Sequence, residues 1–150
     1  MAQHPQPCEI CQRIAQIERG EHPGFIAELP SGYAVLGDSQ FFRGYCLLLC
    51  REPVADLEAL DADFRAQYLT DMARLSAAVS RVIAPHKINL ESLGNMVPHL
   101  HWHVFPRQLS EAEPTKPVWL VMPPADAQEW ALDAQRDAGL IEDLRAALVS

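Results

Sequence analysis

Apolar residues in the first segment fall at helical spacing. Ile10, Ile14 and Ile17 recur across residues 8–19 (CEICQRIAQIER), and Gly20 follows as a stop, which predicts an opening amphipathic helix. Residues 24–29 (GFIAEL) and 33–37 (YAVLG) are short apolar runs split by Pro30, Ser31 and Gly32, and read as two strands joined by a turn. Residues 44–51 (GYCLLLCR) are apolar without alternation and read as a buried central strand. Beyond them Phe64, Tyr68, Met72, Leu75, Val79 and Val82 recur every three or four positions. That pattern predicts a long helix, capped by Asp61 or Asp63 and closed by Pro85. Residues 87–93 (KINLESL) form a further strand, Gly94-Asn95 a turn, and residues 97–105 (VPHLHWHVF) a strand of strict alternation ended by Pro106. Five prolines make residues 106–125 irregular, and residues 126–148 are expected to be helical with a break at Gly139. Strands, a long helix and then more strands predict an α+β domain built on an antiparallel sheet.

Composition narrows the partners. A chain of 150 residues has the size of one domain, and an apolar share of 49% supplies a core without staples. The formal net charge of −8 argues against a nucleic-acid backbone or an anionic membrane as main partner, since both need a basic face. A small polyphosphate remains open, because a local cluster of donors can hold one. No run approaches the ~18 apolar residues of a membrane span. Cys46 and Cys50 lie in the apolar run, and Cys8 and Cys11 form a CxxC pair, so the four cysteines are not a disulfide framework. The start MAQHPQPCEICQRI lacks the basic-then-apolar order of a signal peptide, and a reducing cytoplasmic compartment is expected.

Chemistry concentrates in the alternating strand. His99, His101 and His103 fall at period two, which is expected to place three imidazoles on one face, about 6.5–7 Å apart. Leu100, Trp102 and Val104 then face the core. Three rings that titrate near neutral pH can divide labour: one attacks, one serves the leaving group, one orients or stabilises charge. Asn95 in the preceding turn is placed to add amide hydrogen bonds, and Gly94 lets backbone N–H groups approach an anion. The same three histidines are also a credible metal-ligand set, and from spacing alone a metal-dependent hydrolase stands level with nucleophilic catalysis.

The run GNMVPHLHWHVFPR (94–107) resembles the signature of the histidine triad (HIT) superfamily: three histidines with apolar spacers, a trailing Pro-Arg and an upstream glycine with an amide residue. The phrase from Lys87 to Arg107 is similar to the bacterial branch described as diadenosine tetraphosphate hydrolase-like. The resemblance implies a HIT-like fold with about five antiparallel strands, one long helix and terminal helices. It implies one domain over residues 1–150, with a core at about 8–120 and a helical extension at about 126–148, and pairing as a homodimer. It implies cleavage of a nucleoside α-phosphate bond, in a dinucleoside polyphosphate or nucleoside phosphoramidate, by a covalent nucleotidyl-histidine on His101. A nucleotide-binding scaffold with little turnover is the alternative. His103 would meet the phosphate or the leaving-group oxygen, and the His99 carbonyl would hold the His101 ring N–H. Asn95 would stand near the bridging oxygen, Asn89 near phosphate or ribose, and Asp38 near the ribose hydroxyls. No cofactor is required for this chemistry.

The same resemblance implies a structural zinc in some members, on an N-terminal CxxC pair, a histidine after the central strand and the first triad histidine. Cys8, Cys11 and His99 match three of these, while Pro53 stands where the fourth is expected. Trp119 and Trp130 read as packing residues, with stacking on a base or closing a neighbouring subunit's pocket as the alternatives for Trp119. His4, His22 and His86 read as surface residues, and Arg51 and Arg107 as the cations to examine near phosphate.

Overall fold

The computed structural model describes residues 7–149, so His4 lies outside the described residues. Helix α1 (Glu9–Glu18) is capped by Cys8, whose Sγ accepts the Cys11 N–H at 3.3 Å. Strands β1 (Phe25–Leu29), β2 (Gly32–Leu36) and β3 (Cys46–Cys50) follow. Next come a short turn of 3₁₀ helix (Leu57–Ala59) and α2 (Ala62–Ile83), then β4 (Lys87–Glu91) and β5 (His101–Arg107). The chain ends with α3 (Val118–Val121), a second 3₁₀ turn (Gln128–Trp130) and α4 (Ala138–Val149).

The five strands form one sheet in the order β1-β2-β3-β5-β4, with every neighbouring pair antiparallel, as the α+β reading expects. One face carries α2 and α4 over a core that includes Ile26, Leu36, Leu48, Tyr68, Leu75, Val79 and Val104. Leu100, Trp102 and Val104 belong to this core, as their alternation predicts. Asp61 caps α2 by accepting the Phe64 N–H at 2.9 Å, and Ala84 closes the helix in a left-handed conformation just before Pro85. The buried Asp71 of α2 grips the β1–β2 turn through Ser31 N–H (2.9 Å) and Ser31 Oγ (2.6 Å). The other face holds α1 on Tyr33, Val35 and Leu49, and an aromatic group of Phe42, Tyr45 and Phe105 under α3. Among the described residues no helix is long and apolar enough to cross a membrane.

Four expectations about the elements need correction. β5 begins at His101 rather than residue 97, because Leu100 spends its N–H on Val54 (2.8 Å) and Pro98 has none to give. β5 also runs through Pro106. Arg107 bonds toward the β4 side, accepting the His86 N–H, so Pro106 points to the other side, where β3 has ended at the Cys46–Val104 pair. The helix expected over 126–148 is confined to Ala138–Val149. Before it, residues 130–132 run along residues 38–40 through Gln40 N–H to Trp130 O and Leu132 N–H to Asp38 O. The carboxylates of Asp133 and Asp137 then capture the amides of Gln135, Arg136 and Asp133 in a turn. Gly139 lies in the first turn of α4 and breaks nothing.

Candidate active site

His101 and His103 leave β5 on the face away from α2, their ring centroids 4.8 Å apart. The His101 Nδ1 lies 2.6 Å from the His99 carbonyl oxygen. A carbonyl can only accept, so Nδ1 carries a proton, which makes Nε2 the lone-pair nitrogen of the neutral ring. His103 Nδ1 meets the Tyr45 hydroxyl at 2.6 Å, and the Tyr45 ring stacks on Phe105 at 4.0 Å. Tyr45 reaches this position because residue 37 is glycine: a Cβ there would lie 2.3 Å from the tyrosine ring. Burial, and then the neighbouring His101, lowers the His103 pKa to about 4, so that ring is neutral at physiological pH. Burial, helped by Asp38, Cys46 and Glu91, pushes the Tyr45 hydroxyl well above its usual range, so it keeps its proton.

His101 borders a cleft of about 410 Å³ between α1 and the segment after β5. The cleft floor is apolar, made by Val35, Leu47 and Leu49, with Ile10 on one wall and Met122 and Pro123 on the other. Its polar rim is Asp38 and Arg13. The Arg13 guanidinium bonds both Asp38 oxygens at 2.8 and 2.5 Å and reaches Glu9 at 2.8 Å. Trp119 closes the far end, half-exposed, its ring edge-on to His103 at 5.5 Å and its Nε1 donating to Glu91 Oε2 at 2.5 Å. The packing role read for Trp119 therefore goes together with a place on the cleft wall. Trp130 packs edge-on against Phe41.

His99 does not share that face, contrary to the single-face expectation, because it precedes the regular strand. Its fully buried ring turns to the end of α1, with Nδ1 3.5 Å from both Cys8 Sγ and Cys11 Sγ. Its Nε2 donates to the Cys50 carbonyl at 2.8 Å, which leaves Nδ1 as the lone-pair nitrogen. The three triad rings thus do not converge on one point. Among the described residues, Cys8, Cys11 and His99 gather three ligand atoms within 4.8 Å of one another. Tetrahedral zinc with Zn–S of about 2.3 Å and Zn–N of about 2.1 Å separates sulfur from nitrogen by roughly 3.6 Å, so the observed spacing fits that ion. The carbonyl-held imidazole is also the usual support of a metal ligand. Pro53 offers no ligand atom.

The remaining candidates scatter. Gly94, with a positive φ of 74°, lines a shallow hollow that also touches His101. Asn95 is exposed and lines a hollow beside Cys8 instead. Asn89 sits opposite Phe105, its oxygen accepting from Arg107 at 3.0 Å. Arg107 is buried and chelated by Glu111, and Arg51 is held by Tyr33, Leu29 and Glu28, so neither is a free phosphate cation. His86 is exposed, as read. His22 is buried, contrary to its surface reading: Nδ1 accepts the Gly24 N–H at 3.0 Å where the chain enters β1, and burial and then Arg13 lower its pKa. Tyr45, Arg13 and Glu91 escaped the sequence reading. Only Glu91 carried a usable signal, its place two residues after Asn89 on the strand before the triad.

The HIT domain family model matches residues 20–110. A histidine triad protein from Bradyrhizobium japonicum is 30% identical, superposes with a TM-score of 0.72, and is covered over 87% of this chain and 94% of that one. One from Marinobacter aquaeolei is 22% identical, with a TM-score of 0.73 over 83% and 88% of the two chains. A zinc-bound histidine triad family protein from Mycobacterium smegmatis is 22% identical, with a TM-score of 0.64 over 95% and 94%. No match was found among curated proteins. The extent of the family match, the sheet topology and the identity to the first of these relatives make this chain a member of the HIT domain family.

Proposed function

We propose that the chain is a nucleotide hydrolase or nucleotidyl transferase that cleaves a nucleoside α-phosphate bond through a covalent nucleotidyl-histidine on His101. Family membership supports nucleotide-directed, hydrolase-type chemistry in general terms. The observation that carries the finer reading is the tautomer lock: the His99 carbonyl accepts the His101 Nδ1–H, and Nε2 belongs to a ring bordering the cleft.

The apolar floor suits a base and Asp38 suits ribose hydroxyls, a reading in which the α-phosphate lies against His101. In the first step a bond forms between Nε2 and phosphorus as the bond to the leaving group breaks, and the leaving atom takes a proton from solvent. In the second step water adds to phosphorus, the phosphorus–histidine bond breaks, and the proton returns to solvent. In the tautomer where Tyr45 donates to His103 Nδ1, the His103 Nε2–H is available to a phosphate oxygen as charge develops there. Positioning and charge stabilisation of this kind carry most of phosphoryl-transfer catalysis.

Cys8, Cys11 and His99 would hold a zinc ion, which would supply a structural crosslink tying α1 to the residue that orients His101. The free edge of β4, with Leu90 and Leu93 exposed, is the side on which a second copy would pair, and light scattering tests that pairing.

The test of the reaction is incubation with diadenosine tetraphosphate and with an adenosine phosphoramidate, compared with His101→Ala. Intact-protein mass on His103→Ala, which slows release, should show one nucleotidyl group per chain. Wild-type inactivity across a broad nucleotide panel would sink the proposal.

A further inference from the structure

Glu91 ends β4 directly opposite His103, and antiparallel partners present their side chains on the same face. Its carboxylate is held in place, since Trp119 Nε1 donates to Oε2 at 2.5 Å while the Trp119 ring lies edge-on to His103. A negative charge is therefore fixed beside the ring that adjoins the nucleophile. Arg51 and Arg107, the candidate phosphate cations, and Arg13 are already paired. Arg13 is committed to Asp38 and Glu9 at the rim, Arg107 to Glu111 beyond Phe105, and Arg51 to Glu28. A polyphosphate leaving group brings several negative charges to this place, whereas a leaving group with an ammonium brings the complement.

We propose that Glu91 is a specificity-determining residue that selects leaving groups carrying a positive charge, such as a diamine linked to the nucleotide through a phosphorus–nitrogen bond, over polyphosphate. This rests on the reading that His101 attacks a nucleoside phosphate. The reaction balances as already written: the phosphorus–nitrogen bond breaks as the His101–phosphorus bond forms, the departing nitrogen takes a proton from solvent, and the distal ammonium stays charged throughout. Trp119 is a positioning residue, aiming the carboxylate and shielding it on one side.

Three adenosine compounds test the idea: the phosphoramidate of 1,4-diaminobutane, that of butylamine, and diadenosine tetraphosphate. Wild-type kcat/KM should favour the diamine over the alkylamine by about two- to fivefold, the worth of one partly exposed ion pair. Glu91→Gln keeps an acceptor for the indole and removes the charge, and should bring that ratio to about one. Glu91→Lys should invert the order, with diadenosine tetraphosphate gaining on the diamine compound. Melting temperatures of both variants check that the fold is retained. Turnover with a ratio that neither substitution changes overturns the assignment of Glu91 alone. No turnover of any of the three compounds by the wild type overturns the functional reading and this inference with it.

Discussion

The carbonyl of His99 holds the His101 ring at 2.6 Å, while the ring of the same His99 lies 3.5 Å from the thiols of Cys8 and Cys11. One residue therefore faces two ways. Its backbone sets which nitrogen of His101 carries the proton, and its side chain docks into the N-terminal end of α1. Whatever fixes the ring of His99 also fixes the carbonyl that orients His101.

Zinc should accordingly be found at about one ion per chain after purification without chelator. Cys8→Ser with Cys11→Ser should remove it and lower the melting temperature. Metal bound at a thousandfold above its dissociation constant contributes about 4 kcal/mol to stability, which sets the scale of the loss. Elemental analysis and calorimetry measure the two effects. Native protein with negligible zinc would exclude the crosslink.

The Tyr45 hydroxyl makes a buried bond to His103. Tyr45→Phe should lower kcat by about tenfold, equivalent to about 1.4 kcal/mol and typical of one lost buried hydrogen bond. KM should change little, because the hydroxyl touches the ring rather than the base or ribose. A change confined to KM would show that His103 is not supported in this way.

Much of this arrangement was legible in the chain, and for local reasons. Strand alternation separated Leu100, Trp102 and Val104 from His101 and His103, and residue type narrowed the cap to Asp61 or Asp63, of which Asp61 serves. What was not legible depends on pairings between distant residues. His99 leaves the shared face because Leu100 bonds to Val54, a partner 46 positions away by residue number. Pro106 stays in its strand only because β3 stops short of it. The last helix starts late because residues 130–132 lie along residues 38–40, a contact that no periodicity encodes. Tyr45 joins the site through the space left by Gly37. The histidine motif thus marked the candidate site, while the residues packed around it came from the topology.

Stability should depend on pH through His103. Its folded pKa of about 4 lies below the unfolded value of 6.5, because burial and His101 oppose the charge. Above pH 6.5 both states are neutral and the stability is intact. As pH falls through 6.5 the unfolded chain takes up a proton that the folded one refuses, and stability drops until about pH 4. The full loss is of the order of 3 kcal/mol, and about 2 kcal/mol of it falls between pH 6.5 and 5. Urea unfolding of wild type and His103→Asn at these two pH values measures the difference, since the variant lacks this titration. Parallel curves for the two proteins would contradict a neutral buried His103.

Asp71 carries the largest stability prediction. It is fully buried, and its two oxygens accept from Ser31 N–H, Ser31 Oγ, Gln67 Nε2 and Arg74 Nη1 at 2.9, 2.6, 2.9 and 3.3 Å. These bonds clamp the turn between β1 and β2 to the middle of α2. Asp71→Ala strands the Ser31 donors in a buried place and unpairs Arg74, which should cost about 3–5 kcal/mol. Asp71→Asn keeps the shape but loses the charge and turns one acceptor into a donor facing Ser31 or Arg74, so it should recover only part of that loss. Ser31→Ala removes one bond and should cost about 1–2 kcal/mol. The ordering Ala at 71, then Asn at 71, then Ala at 31 is the discriminating result in urea denaturation. An Asp71→Ala protein as stable as wild type would mean that the turn is held by packing alone.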